Sequence, residues 1–146
     1  MKKLFTLLAL ICLFNMSAQI STGNTNNSGT YSSAIGFQTS AAGDYSTAMG
    51  YNTTSSASYC TAMGYATTAS GSTSTAMGVN TTASGDGSTS LGNQTIASAN
   101  NSSAMGASTT ASGEVSTAMG YATTANGSTS TSVSYTHLTL PTTEAV

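Results

Sequence analysis

Beyond Lys3 the chain has neither lysine nor arginine, and its 146 residues include no tryptophan, one proline, one histidine and two cysteines. Charged residues make up only 4% of it. Each shortage excludes something. Binding to a phosphate backbone or an anionic bilayer runs on Lys and Arg contacts, so neither nucleic acid nor an anionic membrane surface is an expected partner. Cys12 lies in an N-terminal apolar run, which leaves Cys60 alone and rules out an intrachain disulfide framework. One histidine, His137, cannot join Asp44, Asp86 and Glu114 into a base, nucleophile and orienting group, because those acids are separated by multiples of fourteen residues. No catalytic residue, metal ligand or cofactor is therefore expected, and the chain reads as a non-enzyme. Calcium binding of the β-helix type needs aspartates in glycine-rich nine-residue repeats, which are not here.

The N-terminus has the three sections of a secretory signal peptide. Met1, Lys2 and Lys3 carry the charge, Leu4 to Phe14 form the apolar run, and Ser17-Ala18-Gln19 supplies small residues at a cleavage site. Residues 1–18 are expected to be removed. The run is too short for a membrane span, which needs about 20 apolar residues. Losing Lys2 and Lys3 takes the net charge from −2 to −2 − 2 = −4. Residues 19–28 then form a lead-in.

What the sequence does contain is a strict period. Gly36, Gly50, Gly64, Gly78, Gly92, Gly106 and Gly120 are spaced by 14, and the residues before them are Ile35, Met49, Met63, Met77, Leu91, Met105 and Met119. On composition alone, a chain rich in Ser, Thr, Asn, Gly and Ala would pass for a low-complexity tract. Disordered tracts have no reason to keep glycine and a long apolar side chain in phase, whereas stacked coils do. These fourteen residues are expected to form the structural core and turn of each repeat.

Read by column, the repeat describes one coil. Two before the marker glycine stands Ala34, Ala48, Ala62, Ala76, Ser90, Ala104 or Ala118, in a stretch that alternates small and large as a strand does. Three after it stands an unbroken threonine column, Thr39 to Thr123, among residues that favour pleated backbone. Seven after it a second Gly or Ala column, beginning with Gly43, marks another turn. The next column holds Asp44, Asp86 and Glu114, and charge confined to one column places it in solvent. Each period thus predicts two strands of roughly five residues and two turns, one flattened coil of an all-β parallel β-roll. A helix is excluded because each marker glycine would cost about 1 kcal/mol in one.

One long apolar side chain per coil gives little to bury against the ordering of fourteen residues. Extra burial must come from a partner. The small and the large columns of the first strand point to opposite faces, so one closes the inside of the roll and the other meets a further chain. The sequence alone does not assign them. Cys60 occupies a column that is serine in the other copies, so it is expected as a small filler. Phe37, Tyr51, Tyr65 and Tyr121, which follow marker glycines, and Tyr45 and Tyr59, near the second turn, are the candidate surface contacts for a ligand.

The units Ser46-Thr47-Ala48-Met49-Gly50-Tyr51 and Ser116 to Gly127 closely resemble the head repeats of YadA-like trimeric autotransporter adhesins, and Ser33-Ala34-Ile35-Gly36 is similar to that family's Ala-Ile-Gly turn. The resemblance covers about residues 29–131. It implies a left-handed β-roll, a homotrimer of side-by-side chains, and secretion to the outer-membrane surface of a Gram-negative bacterium. There the head would attach to host, extracellular-matrix or abiotic material. Full-length members continue into a coiled-coil stalk and a membrane β-barrel; this chain has neither heptads nor alternating ten-residue strands at its end, so membrane attachment is expected only through an anchor outside it. The alternatives are an ice-binding β-solenoid, suggested by the unbroken threonine column, and a structural module of a secreted fibre. After Ser134 replaces the next marker glycine, the stretch Val133 to Thr142 resembles translated sequencing-adapter read-through. Residues 132–146 are accordingly expected to be an artefactual or disordered tail.

Overall fold

The computed structural model describes residues 23–134. The expected signal peptide and most of the expected tail, His137 included, lie outside the described residues. Within them the chain is an all-β parallel solenoid with a fourteen-residue repeat and no helix. Its strands alternate between two sheets. One sheet contains the short strands β1 (Asn26–Asn27), β3 (Ser40–Ala41), β5 (Thr54–Ser55), β7 (Thr68–Ala69), β9 (Thr82–Ala83), β11 (Ile96–Ala97), β13 (Thr110–Ala111) and β15 (Thr124–Ala125). The other contains the long strands β2 (Ser33–Phe37), β4 (Thr47–Tyr51), β6 (Thr61–Tyr65), β8 (Thr75–Val79), β10 (Thr89–Asn93), β12 (Ser103–Ala107), β14 (Thr117–Tyr121) and β16 (Thr131–Val133). Both sheets run in unbroken spatial order from one end of the chain to the other.

Register is set by the period. Met49 pairs with Met63 and Met63 with Met77, and Ala48, Ala62 and Ala76 stack beside them in the same way. Neighbouring strands lie about 4.8 Å apart, so eight rungs build a rod on the order of 35 Å long. Strand β1 falls in the stretch expected as lead-in, and β16 runs to Val133, two residues past the expected head boundary.

The interior consists of small residues. Ala48, Ala62, Ala76, Ala104 and Ala118 of the long strands face Ala41, Ala69, Ala83, Ala97 and Ala111 of the short ones, and all are fully buried. Serines of the column four before the glycine and the invariant threonines fill the rest. A fourteen-residue coil flattened between two sheets leaves no room inside for a methionine. The long apolar column, expected among the core residues, therefore stands outside the roll: Ile35, Met49, Met63, Leu91 and Met105 are half-buried, and Met77 and Met119 are exposed.

Two further expectations change. The second strand of each coil is two residues long rather than five, although ladder bonds such as Ser40 N–H to Thr53 O and Ala42 N–H to Ser55 O continue on either side of it. The marker glycine is not the turn. It is the fourth residue of the long strand, and the corner falls two residues later, at Gln38, Asn52, Ala66, Asn80, Gln94, Ser108 and Ala122, all with φ between 51° and 55°. The opposite corner runs through Gly43-Asp44-Tyr45 and its equivalents, as the second glycine column led one to expect.

Candidate functional site

The marker glycines show what holds the coils at strand spacing. Their φ values lie between 113° and 130°, where a side chain is strongly disfavoured. A Cβ on Gly36, Gly50, Gly64, Gly78, Gly92 or Gly106 would sit 1.9–2.0 Å from the carbonyl oxygen of the next marker glycine. In this column only glycine fits. The second column differs: a Cβ on Gly43 or Gly85 would also collide with the coil beyond, but no positive φ is imposed there, and Ala57 and Ala99 occupy it in other coils.

Three columns of the long strands face outward: Ser or Thr first, then the Ile/Met/Leu column, then the residue after the marker glycine. Phe37, Tyr51 and Tyr65 are exposed and stack on one another with ring centroids 5.6 and 5.2 Å apart. Tyr45 and Tyr59 form a second ladder at the other end of the strand, joined by Tyr31, with centroids 5.3 and 5.0 Å apart. Tyr31 was missed as a candidate because it precedes the first complete repeat, although it lies fourteen before Tyr45. Tyr121 is exposed with Ala107 beneath it. The outer face of the long-strand sheet thus carries one apolar column along its length, bordered by a Ser/Thr column, with a ring ladder on each side at its N-terminal end.

The remaining columns do structural work. Asp44, Asp86 and Glu114 are exposed, as their shared phase requires. Asp44 Oδ1 accepts from Thr30 N–H at 2.8 Å and Asp86 Oδ1 from Ser72 N–H at 2.9 Å, so these carboxylates cap backbone donors of the preceding coil. Among the described residues no three His, Cys, Asp or Glu side chains come together to hold a metal ion. The Cys60 thiol is buried and donates to Ala57 O at 2.8 Å, as the Ser102 hydroxyl donates to Ala99 O at 2.6 Å in its own coil. The invariant threonines point inward, and Thr53, Thr67, Thr81, Thr95 and Thr109 have no exposed surface. A column sealed inside the roll cannot order external water, which removes the feature that suggested ice binding. Its outward neighbour reads Ser40, Thr54, Thr68, Thr82, Ile96, Thr110 and Thr124 and is interrupted by Ile96.

A family model described as the YadA head domain repeat matches residues 28–53, 61–81, 69–95, 83–109, 97–121 and 111–133. No curated protein matches the chain.

Proposed function

The chain belongs to the YadA head domain repeat family, and from that premise we propose that it is the head of a homotrimeric cell-surface adhesin, exported by residues 1–18 and displayed on the outer surface of a Gram-negative bacterium. The observation that carries this reading is the outward apolar column. A single chain leaves the column from Ile35 to Met119 half-buried or exposed along one sheet face, and an ordered apolar stripe of this length is an interaction surface. Three copies that turn these faces toward a common axis remove them from water and supply the burial that one coil lacks.

Attachment then falls to the surfaces left outside: the short-strand sheet and its corners, which repeat Ser, Thr and Asn at strand spacing. Such a surface binds by repetition, each rung adding a weak contact at a fixed distance from the last, and needs no point site. The handedness of the roll is taken as left-handed from the same family reading. On this account the chain acts through contact area, without catalysis.

The test is retention of the purified chain on glass, polystyrene and surfaces coated with extracellular-matrix proteins, scored against a chain of similar charge. Retention on at least one class of surface is expected; failure to bind any of them contradicts the adhesin reading. The fibre-module alternative predicts that failure while the trimer persists.

A further inference from the structure

The two edges of the long-strand sheet vary together in all but one of the seven rungs. At the start of each strand, in the corner, stand Tyr31, Tyr45, Tyr59, Thr73, Gly87, Asn101 and Val115; at its end stand Phe37, Tyr51, Tyr65, Val79, Asn93, Ala107 and Tyr121. Where one edge is large and apolar, so is the other, in the rungs of Tyr31, Tyr45, Tyr59 and Val115. In the rungs of Gly87 and Asn101 both edges are small or polar, and only the rung that sets Thr73 opposite the exposed Val79 is mixed. Within one chain the two positions are six residues apart along extended backbone, about 20 Å, and every ring contact among the described residues runs along a column rather than across the strand. Among the described residues no ring contact within one chain makes them match.

Nor does the backbone ask for these side chains. Tyr31, Tyr45, Tyr59 and Val115 have φ of 55–60°, a conformation that bulky and β-branched residues avoid, and Tyr31 and Tyr59 keep 77% and 60% of their surface exposed. A binding patch at the tip of the rod would account for the first three rungs, but not for the return of Val115 with Tyr121 four rungs further along.

We propose that the corner column of one chain packs against the strand-end column of the next, at the same height, to form three aromatic seams that set the vertical register of the trimer. The inference rests on the homotrimer reading. In a closed ring the contact is heterologous, one edge of a chain meeting the opposite edge of its neighbour, and a pure rotation brings together residues of the same rung. Tyr45 then meets the neighbour's Tyr51, Tyr59 meets its Tyr65, and Val115 its Tyr121. Closure forbids the same shift at all three contacts, so the competing assembly has one chain slid by a coil, which would set Tyr65 against Thr73 and Tyr121 against Thr129 at one of its contacts and Tyr121 against Asn101 at the other. The matched rungs make the unshifted assembly the one that buries the most ring surface, while the interchangeable methionine column between them cannot distinguish one rung from the next.

The test uses the full chain with Cys12 and Cys60 replaced by serine and one added cysteine pair, oxidised by diamide and run on a non-reducing gel. Tyr45→Cys with Tyr51→Cys places the pair on one rung; Tyr45→Cys with Val79→Cys offsets it by two, about 10 Å. A disulfide needs Cα atoms within about 7 Å, so neither pair can close within a chain. Covalent trimers from the same-rung pair and none from the offset pair are expected. The unsubstituted chain provides a second reading: nitration of Tyr31, Tyr45 and Tyr59 by tetranitromethane should be lost in the native assembly and restored in urea. If sedimentation gives a trimer but the same-rung pair does not cross-link, or these tyrosines nitrate as readily as in urea, the seams are wrong and the trimer stands. A monomer by sedimentation overturns the trimer itself, and the seams with it.

Discussion

Two substitutions of one type separate the roles of the two glycine columns. Gly64→Ala forces a Cβ to within 2.0 Å of the Gly78 carbonyl and strains a φ of +127°, so it should unfold the roll or cost more than about 3 kcal/mol, read from the urea midpoint at fixed protein concentration. Gly71→Ala brings its Cβ equally close, 2.0 Å from the Gly85 carbonyl oxygen, but meets no positive φ and enters a column that already holds alanine at 57 and 99, so it should cost less. The buried hydroxyls give a second contrast. Thr67 Oγ1 has no hydrogen-bond partner, whereas Thr95 Oγ1 lies 2.7 Å from Ser90 Oγ, the fully buried serine in the inward alanine column of the long strands. Thr67→Val removes a desolvated hydroxyl and should be neutral or stabilising. Thr95→Val strands the Ser90 hydroxyl and should destabilise by ~1–3 kcal/mol in the same denaturation experiment. Cys60→Ser returns that column to its usual residue and should leave the midpoint nearly unchanged.

At the scale of the strand and coil, register depends on whole units. Deleting residues 65–78 removes one rung and rejoins equivalent positions, so circular dichroism should keep its β signal. Deleting residues 65–77 shifts every later side chain to the wrong face and should abolish that signal. The period, the two sheets and the stacking of like on like were legible from Met49, Met63 and Met77 with their glycines, because only a coil of fixed length keeps such columns in phase. The facing of those columns was not. Alternation separates Ala48 from Met49 without saying which lies inside, and the answer comes from the width of the coil, which alanine fits and methionine does not. The corners were misplaced for a related reason. Glycine at positive φ reads as a turn, but here it lets one strand pass close to the next, while Gln38, Asn52 and Ala66 accept the left-handed corner without a sequence signal strong enough to mark it.

For the whole molecule, function follows from which faces remain wet. The long-strand face carries the apolar column and the short-strand face a regular array of hydroxyls and amides, and the proposed function assigns the first to copies of the chain and the second to a foreign surface. The buried threonine column implies that the chain should show no thermal hysteresis at millimolar concentration; a clear hysteresis gap would return ice binding to consideration. The candidate site was legible as far as its aromatic residues, since Phe37, Tyr51 and Tyr65 share a phase. Their stacking into exposed ladders was not, because phase alone does not distinguish a ring that lies over the neighbouring coil from one that stands out beside it.

Sedimentation equilibrium, with circular dichroism on the same samples, tests most directly whether the uncovered Met49–Met63–Met77 face is an internal surface of a larger assembly. The account predicts a β-rich species of three times the chain mass across the accessible concentration range. A β-rich, cooperatively folded monomer would contradict it.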